Sequence, residues 1–399
     1  MLGPKPAGDA LKILMAAGEV SGDMQGSFLA KALWARDDTL HIFGLGGARM
    51  KAAGVDLRID ATLFSTVGVI EALRFVAPLR RVLRRVQEMI LVDRPDAAIL
   101  IDNHGFNLML AKFLKKHRIP VIYYFPPQAW VASSVFAGGV VRNSDLIISA
   151  FESEAAVYRQ YGEGGRAVSV GHPLLDIVRP GPNADGVLER LGIDPSRPLM
   201  ALMPGSRQQE LDRLARPMFG AATMIKKEIP AMQFILPVAA APLRSRLQAM
   251  QRECGCTAPI HFIETDVYTC LSRCNLLITS TGTATLEAAL LGVPMVTAYR
   301  LNPFTVWLAR LTSKARRIAM PNLLLEDDVV PEIIQRDVTA ERLAEEALKI
   351  LRSPSRQAAM RKRFRELPGI LGKEGALDRI ADLVLNELPA RAHPCPVAA

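Results

Sequence analysis

The sequence has few of the residues on which disulfide-rich and nucleic-acid-binding proteins depend. Its 399 residues include only five cysteines, and aromatic residues make up 6%. An odd number of cysteines without regular spacing predicts a reducing compartment and inert thiols that pack as small side chains, not a disulfide framework or a zinc site. The low aromatic content and the lack of any RNA- or DNA-reading motif argue against nucleic acid as a partner.

Long uncharged apolar runs and the common nucleotide-binding motifs are missing as well. No run approaches the ~18 residues of a membrane-spanning helix. The first ten residues hold two prolines and no apolar stretch, so we expect no signal peptide and a cytoplasmic protein. The chain has neither the Gly-x-x-x-x-Gly-Lys-Ser/Thr sequence of a P-loop NTPase nor the Gly-x-Gly-x-x-Gly fingerprint of a dinucleotide-binding domain.

The composition that remains is that of a soluble globular chain with a basic balance. Hydrophobic residues make up 50% and charged residues 22%, and 399 residues suit two domains. Lysine and arginine outnumber aspartate and glutamate by 49 to 40, which gives a net charge of +9. This excess predicts an anionic partner, either a phosphorylated substrate or an acidic membrane surface.

Short β-rich apolar runs alternate with longer helical patterns, which indicates βαβ units and parallel sheets covered on both faces. In the first half we predict strands at residues 12–17, 41–44, 97–101, 120–125, 146–150 and 168–170. In the second half we predict strands at residues 199–203, 234–237, 276–279 and 294–298. The breaker-rich stretch 179–186 is the predicted linker. The predicted fold class is therefore α/β, with two Rossmann-like domains, residues 1–178 and 187–365, that face each other across a cleft.

Two strand-end loops in the second half predict a nucleoside-diphosphate site. Gly282, Thr283 and Ala284 open a helix whose first N–H groups and dipole favour an anion. Glu287 follows about one turn later, where a carboxylate can accept from ribose hydroxyls. After the strand at 199–203, Arg207 offers a planar guanidinium suited to phosphate oxygens. The alternatives are an ordinary capped helix and a surface arginine.

The candidate catalytic group lies in the first half. Asp102 follows the predicted strand 97–101, and a carboxylate at a strand end can act as a general base. N-capping of the next helix is the alternative. His104 can contribute to the same proton transfer, although a single histidine in a loop more often has no catalytic role. The glycine-rich strand ends 18–23 and 44–47 resemble phosphate or sugar cradles.

A basic, apolar segment bears on the charge excess. Residues 66–91 are helical in period, with a break predicted at Pro78, and they combine apolar side chains with arginines. This combination predicts a surface that binds anionic membranes. A core helix with a solvated basic face is the alternative. The arginines are Arg74, Arg80, Arg81, Arg84 and Arg85.

Successive motifs between residue 12 and about residue 335 resemble those of the lipid-A-disaccharide synthase family. They include Gly-Glu-Val-Ser-Gly-Asp at 18–23, Leu-Met-Pro-Gly-Ser-Arg at 202–207 and Thr-Gly-Thr-Ala-Thr-Leu-Glu at 281–287. The others, in the family's order, lie at residues 46–50, 101–102 with 106–107, 170–174, 298–300 and 321–324.

The resemblance implies an inverting glycosyltransferase of the GT-B fold that needs no metal and no cofactor. Such an enzyme transfers diacylglucosamine from UDP-2,3-diacylglucosamine to 2,3-diacylglucosamine 1-phosphate and releases UDP. It would act in lipid A biosynthesis, as a cytoplasmic protein peripheral to the inner face of the cytoplasmic membrane, and a homodimer is compatible with this expectation. A C-terminal helix at about 370–388 would pack back on the first domain. No Asp-x-Asp metal motif occurs in the chain.

Residue by residue, the resemblance assigns Asp102 as the base and gives the UDP contacts to the second half. Ser21, Gly22 and His104 are expected on the acceptor side. The chain departs from the family pattern at residues 103–105, 127–136 and 151–154, all in the acceptor half. The alternatives are a divergent UDP-sugar enzyme, either a transferase on another acceptor or a UDP-N-acetylglucosamine 2-epimerase, and a silent membrane-binding protein. The UDP-contacting residues are Arg207, Gly282, Thr283, Ala284, Glu287 and Asn322.

Overall fold

The computed structural model describes residues 10–60, 69–126, 134–162, 164–239, 242–302 and 317–388, with the backbone alone for residues 69–78, 104 and 134–136. Within this part the chain forms two compact units. The first draws on the ranges Met1–Ser65, Leu73–Pro173 and Lys373–Ala399, and the second on Thr66–Ala72 and Leu174–Gly372.

The first unit is built on a seven-stranded sheet in the order β3-β2-β1-β4-β5-β6-β7, with every strand pair parallel. Five of the six predicted strands are present, the one predicted at 168–170 lies instead at Arg166–Val168, and the edge strand β3 is an addition. Its sequence, Asp-Leu-Arg-Ile-Asp, buries none of its residues fully and so gives no apolar run to recognise. The strands are β1 Lys12–Ala17, β2 His41–Gly46, β3 Asp56–Asp60, β4 Ala97–Ile101, β5 Val121–Tyr124, β6 Leu146–Ile148 and β7 Arg166–Val168.

Helices cover both faces of this sheet. Alternate residues of β1 point to opposite faces, so that Leu14 joins one buried layer and Ile13 the other. The helices that precede β7 along the chain are α1 Val20–Trp34, α2 Ala48–Ala53, α3 Val69–Val92, α4 His104–Lys116, α5 Ser134–Arg142 and α6 Glu152–Arg159.

One local prediction in this unit was wrong. Helix α3 continues through Pro78 without the predicted break. A proline removes one backbone donor, and the burial of the later turns of α3 against the sheet offsets that loss.

The second unit repeats the architecture with a six-stranded parallel sheet in the order β10-β9-β8-β11-β12-β13. All four predicted strands are present, and the two edge strands β10 and β13 were missed because they are short and only partly buried. The strands are β8 Leu199–Met203, β9 Gln233–Pro237, β10 Ile260–Ile263, β11 Leu276–Ser280, β12 Met295–Tyr299 and β13 Glu332–Ile334.

The described helices of the second unit alternate with these strands along the chain. They are α7 Leu174–Ile177, α8 Ala184–Arg190, α9 Gln208–Glu228, α10 Pro242–Glu253, α11 Val267–Ser272, α12 Thr283–Leu290, α13 Met320–Leu325, α14 Ala340–Leu351, α15 Pro354–Phe364 and α16 Leu367–Leu371. The α/β class predicted from the alternation of strands and helices is confirmed in both units.

The last described helix, α17 (Ala376–Asn386), returns to the first unit. Ile380 and Val384 are buried in the same apolar layer as Leu29 and Leu33 of α1. Arg36, at the end of α1, forms an ion pair with Asp378 over 3.1 Å and a further one with Asp382. An apolar stripe and a charged rim therefore hold α17 against α1.

Both sheets share one topological feature that determines where a ligand can bind. In the first sheet, β2 and β3 lie on one side of β1, and the later strands, from β4 onward, lie on its other side. In the second sheet, β9 and β10 lie on one side of β8, and the strands from β11 onward lie on the other. The chain connections therefore diverge between β1 and β4 and between β8 and β11. Ligands of open α/β sheets bind beyond the carboxyl ends of the strands at such a switch point. The loops that follow these four strands are therefore the candidate site loops.

Candidate active site

At the switch point of the second sheet, β8 lies directly beside β11. Met203 pairs with Thr279, so the loop Pro204–Arg207 and the turn at Gly282 leave the sheet at neighbouring positions. The sequence predicts that both loops contribute to one nucleoside-diphosphate site. The sheet brings them together, which neither motif could establish alone.

The turn at Gly282 is open and left-handed. Its φ of 122° is unfavourable for a residue with a side chain, and a Cβ placed there would meet nothing within 4 Å. Helix α12 starts at the next residue without a side-chain cap, and Thr283 and Ala284 in its first turn are only half-buried. The helix start thus combines positive dipole charge, small side chains and open space above the backbone, which suits a diphosphate.

Glu287 lies one turn further along α12 and has a partner that sequence analysis missed. The Tyr268 hydroxyl, on α11, donates a hydrogen bond to Glu287 Oε2 over 3.2 Å. This bond fixes one carboxylate oxygen and orients the other. No sequence motif marks Tyr268, because it lies 19 residues before Glu287 on a separate helix.

Arg207 is held by an acidic residue of its own helix. Glu210 Oε1 accepts from Arg207 Nη1 over 3.0 Å, and Glu210 Oε2 accepts from the backbone N–H of Ser206 over 3.0 Å. The side chains of Arg207 and Glu210 are 24% and 14% exposed. Gly205 is required here, because a Cβ would lie 2.2 Å from Glu210 Oε2. The guanidinium is therefore aimed by its neighbour rather than mobile on the surface.

Tyr299 ends β12 within electrostatic range of Glu210 and Arg207. Burial raises the pKa of its hydroxyl, the Glu210 carboxylate raises it further, and Arg207 opposes the effect. The tyrosine therefore stays protonated at neutral pH.

Asn322 does not offer its side chain to a ligand in this structure. It is 1% exposed, and its amide is bonded to the backbone N–H and carbonyl of Val330 and to Glu332 Oε1, over 2.8, 2.8 and 2.9 Å. The backbone of α13 connects it to the anion turn, since Met320 N donates to Thr285 Oγ1 and Thr285 Oγ1 donates to Gly282 O. The contacts of Asn322 are those of a residue that holds α13 in place.

At the switch point of the first sheet, Asp102 lies in an unusual turn. Asp102 and Asn103 have φ values of 53° and 41°, two successive non-glycine residues in the left-handed region. Asp102 Oδ2 accepts from the Ser21 hydroxyl over 3.3 Å, and Asp102 Oδ1 accepts from the backbone N–H of Asn103 over 3.0 Å. Gly18 leaves room for the Asn103 side chain, because a Cβ there would lie 1.8 Å from Asn103 Nδ2 and the amide would have to move.

The predicted acceptor-side residues Ser21 and Gly22 have structural contacts of their own. Ser21 supports the Asp102 carboxylate, and Gly22 is buried where α1 meets the sheet. Their neighbour Asp23 accepts from the backbone N–H groups of Gly47, Arg49 and Met50 over 2.7 to 3.0 Å and so caps α2. The two glycine-rich strand ends are thus joined through a carboxylate.

His104 begins helix α4 and His172 is buried. The rings of Phe125 and Phe151 lie 5.5 Å from the His172 ring, and burial lowers the pKa of His172 to about 3. His172 therefore stays neutral across the physiological range. Of the predicted acceptor-side departures, residues 127–133 lie outside the described residues.

Among the residues with described placement, no cluster of three or more His, Cys, Asp and Glu side chains is arranged to hold a metal ion. Within the same part of the chain, no helix has the length and apolar content to span a bilayer.

Comparisons with known proteins agree on one family. The model of the lipid-A-disaccharide synthetase family matches residues 13–372. The lipid-A-disaccharide synthase of Geobacter sulfurreducens is 34% identical over 378 residues, which cover 94% of this chain and 97% of that protein. The synthase of Gloeothece citriformis is 35% identical over 387 residues, with 94% and 100% covered.

Solved structures show the same fold at much lower identity. A UDP-N-acetylglucosamine 2-epimerase from Neisseria meningitidis, bound to UDP-N-acetylglucosamine, aligns with a TM-score of 0.61 over 95% of this chain and 99% of that one, at 9% identity. This likeness establishes the fold alone, whereas the sequence matches extend over nearly the whole chain. The chain belongs to the lipid-A-disaccharide synthase family of glycosyltransferases.

Proposed function

We propose that the protein transfers diacylglucosamine from UDP-2,3-diacylglucosamine to 2,3-diacylglucosamine 1-phosphate and forms the β-1,6-linked disaccharide 1-phosphate and UDP. The observation that carries the proposal is the pairing of β8 with β11, which brings together two anion-binding loops in a chain 34% identical to a lipid-A-disaccharide synthase. We assign the UDP side to residues 187–365 and the acceptor side to residues 1–178 with α17.

In the donor half of the mechanism, the protein stabilises negative charge on the departing UDP. As the bond between C1 of the donor sugar and the UDP oxygen breaks, negative charge grows on the diphosphate. The start of α12 at Gly282 and the guanidinium of Arg207 supply fixed positive charge for it, and fixed charge stabilises a transition state without reorganisation cost. Glu287, oriented by Tyr268, accepts hydrogen bonds from the ribose.

In the acceptor half of the mechanism, the protein removes a proton from the acceptor hydroxyl. Asp102 takes the proton from the 6-hydroxyl of the acceptor while that oxygen attacks C1 of the donor, so the new C–O bond forms as the bond to UDP breaks. Attack from the face opposite UDP inverts the anomeric carbon. Hydrogen bonds from Ser21 and the Asn103 backbone hold the carboxylate in one orientation for this step.

The direct test is UDP release measured with donor alone, acceptor alone and both. We expect release only when both lipids are present. Release from donor alone at the same rate would contradict transfer, and conversion of UDP-N-acetylglucosamine to its C2 epimer would favour the epimerase alternative. The 34% and 35% identity to synthases does not favour that alternative.

Tyr268→Phe is expected to weaken UDP binding by about 3- to 10-fold, or roughly 0.7–1.4 kcal/mol, because Glu287 loses the bond that orients it and a typical hydrogen bond contributes about 0.5–1.5 kcal/mol net. Isothermal titration calorimetry with UDP measures the effect. UMP and uracil provide the comparison, since the loss should persist for UMP, which keeps the ribose, and vanish for uracil. An equal loss for uracil would contradict the ribose assignment of Glu287.

We further propose that α3 holds the protein on an anionic membrane. Val86 and Ile90 are buried, so the described part of the helix is anchored in the core. The outward side carries four exposed arginines and ends with Leu91 and Val92, which are 60% and 90% exposed. The arginines are Arg80, Arg81, Arg84 and Arg85.

Replacing these four arginines by glutamine should weaken binding to vesicles with anionic lipid by at least about tenfold, because each basic residue near such a surface contributes ~1 kcal/mol. Cosedimentation with phosphatidylglycerol-containing vesicles measures it. A matched control replaces four exposed arginines of the second unit, and this variant should bind as the wild type does. Equal losses in both variants would contradict a specific role for α3. The control residues are Arg216, Arg244, Arg246 and Arg352.

A further inference from the structure

The backbone that carries Asp102 is held in an unfavourable conformation. Two successive left-handed residues, Asp102 and Asn103, are rare outside glycine, and such a turn persists only where surrounding contacts hold it. The contact from the sheet side is a bond from Asp102 N to the Tyr124 carbonyl over 3.2 Å. One bond of this length is not enough to hold the turn, so further contacts are needed on the side away from the sheet.

Asn107 supplies that other side. Its Nδ2 donates to the carbonyl of Ile101 over 3.0 Å and to the carbonyl of Asp102 over 2.7 Å. Its backbone N–H donates to the carbonyl of Asn103 over 3.0 Å. One residue therefore binds three successive carbonyls, those before, between and after the peptide units of the turn, and the last of the three bonds is the first-turn backbone bond of α4.

Asn107 is too deeply buried to contact a substrate, so its role is to support the turn. Asn107 is 1% exposed and both amide hydrogens are directed to the backbone. Without them, one buried and one partly buried carbonyl lose these bonds, and the strained turn loses its main restraint. The turn then relaxes toward ordinary backbone angles and the Asp102 carboxylate moves away from Ser21.

We propose that Asn107 is a positioning residue that holds Asp102 in its working orientation for proton abstraction. The inference rests on the proposed role of Asp102 as the base. It predicts a lower rate of the chemical step and unchanged nucleotide binding, because the residues assigned to UDP belong to the other compact unit.

The experiment compares Asn107→Ala and Asn107→Asp with wild type in the two-substrate transfer assay. Both variants lack the N–H donors, and the aspartate keeps the side-chain volume. Each should lower kcat by about 10- to 100-fold, since a displacement of about 1 Å at a catalytic group can cost 10²-fold. The KM for the UDP donor should stay within about threefold, and rates are normalised to the fraction of protein that binds UDP.

Asn143→Ala is the matched control, because Asn143 Nδ2 also donates to a backbone carbonyl, that of Gly139, in the same unit but away from Asp102. It should keep its kcat within about twofold of wild type. Unchanged kcat in the Asn107 variants, or an equal loss in Asn143→Ala, overturns the inference and leaves the proposed function standing. A wild-type protein that makes no disaccharide overturns the proposed function itself.

Discussion

Asp102→Asn is expected to lower kcat by about 10²- to 10⁴-fold, the contribution typical of a general base. Asparagine has nearly the same shape, and its carbonyl oxygen can still accept from Ser21 or from the backbone N–H of Asn103. It cannot take the proton of the acceptor hydroxyl. Steady-state kinetics with both lipid substrates measures the loss, while the affinity for UDP should remain within about twofold.

The control for this variant is Asp145→Asn in the same sheet. The Asp145 carboxylate accepts from Lys115 Nζ over 2.7 Å and from Val121 N over 2.8 Å, so it is bonded as firmly as Asp102 but lies at the start of β6. Its substitution should reduce thermal stability and leave kcat within about twofold. Full turnover by Asp102→Asn would show that another group takes the proton.

Arg207→Ala is expected to produce the second largest effect, a loss of about 10²- to 10³-fold in kcat, because removing one preorganised charge-stabilising donor costs roughly 2.7–4 kcal/mol. Arg207→Lys should recover only part of it, since a lysine ammonium keeps the charge and lacks the planar pair of donors. The affinity for UDP should fall with the same ranking of variants, measured by calorimetry.

Arg216→Ala serves as the control, because Arg216 lies on the same helix α9 and its exposed side chain pairs with Glu253 over 2.6 Å. An exposed ion pair contributes only about 0–1 kcal/mol to stability, so activity should be unchanged. Normal turnover by Arg207→Ala would remove Arg207 from the leaving-group site and leave the start of α12 as its main element.

Much of the site could be predicted because it lies at strand ends. Buried strands such as β4, β8 and β11 are short apolar runs that a sequence shows directly, and the residues that follow them must leave the sheet at its carboxyl edge. Asp102, Arg207 and Gly282 were identified in this way. The edge strands β3 and β13 were missed because partly exposed strands leave no continuous apolar run.

The side-chain contacts that support the site residues could not be predicted from the sequence. Tyr268 supports Glu287, Asn107 supports Asp102, and the Asn322 amide is bonded to Val330 and Glu332. Each contact depends on the orientation of a side chain in the folded protein, and the spacing of residues along the chain does not determine that orientation. Ser21 shows the same limit, since a glycine-rich loop motif gave no sign that its hydroxyl would meet Asp102.

The central claim is inverting transfer between two lipid-linked sugars. It is tested most directly by isolating the product formed from UDP-2,3-diacylglucosamine and 2,3-diacylglucosamine 1-phosphate and determining its linkage by NMR spectroscopy. The account predicts a β-1,6-linked disaccharide 1-phosphate and one UDP for each disaccharide. An α-linked product, free diacylglucosamine in place of disaccharide, or no product at all would contradict it.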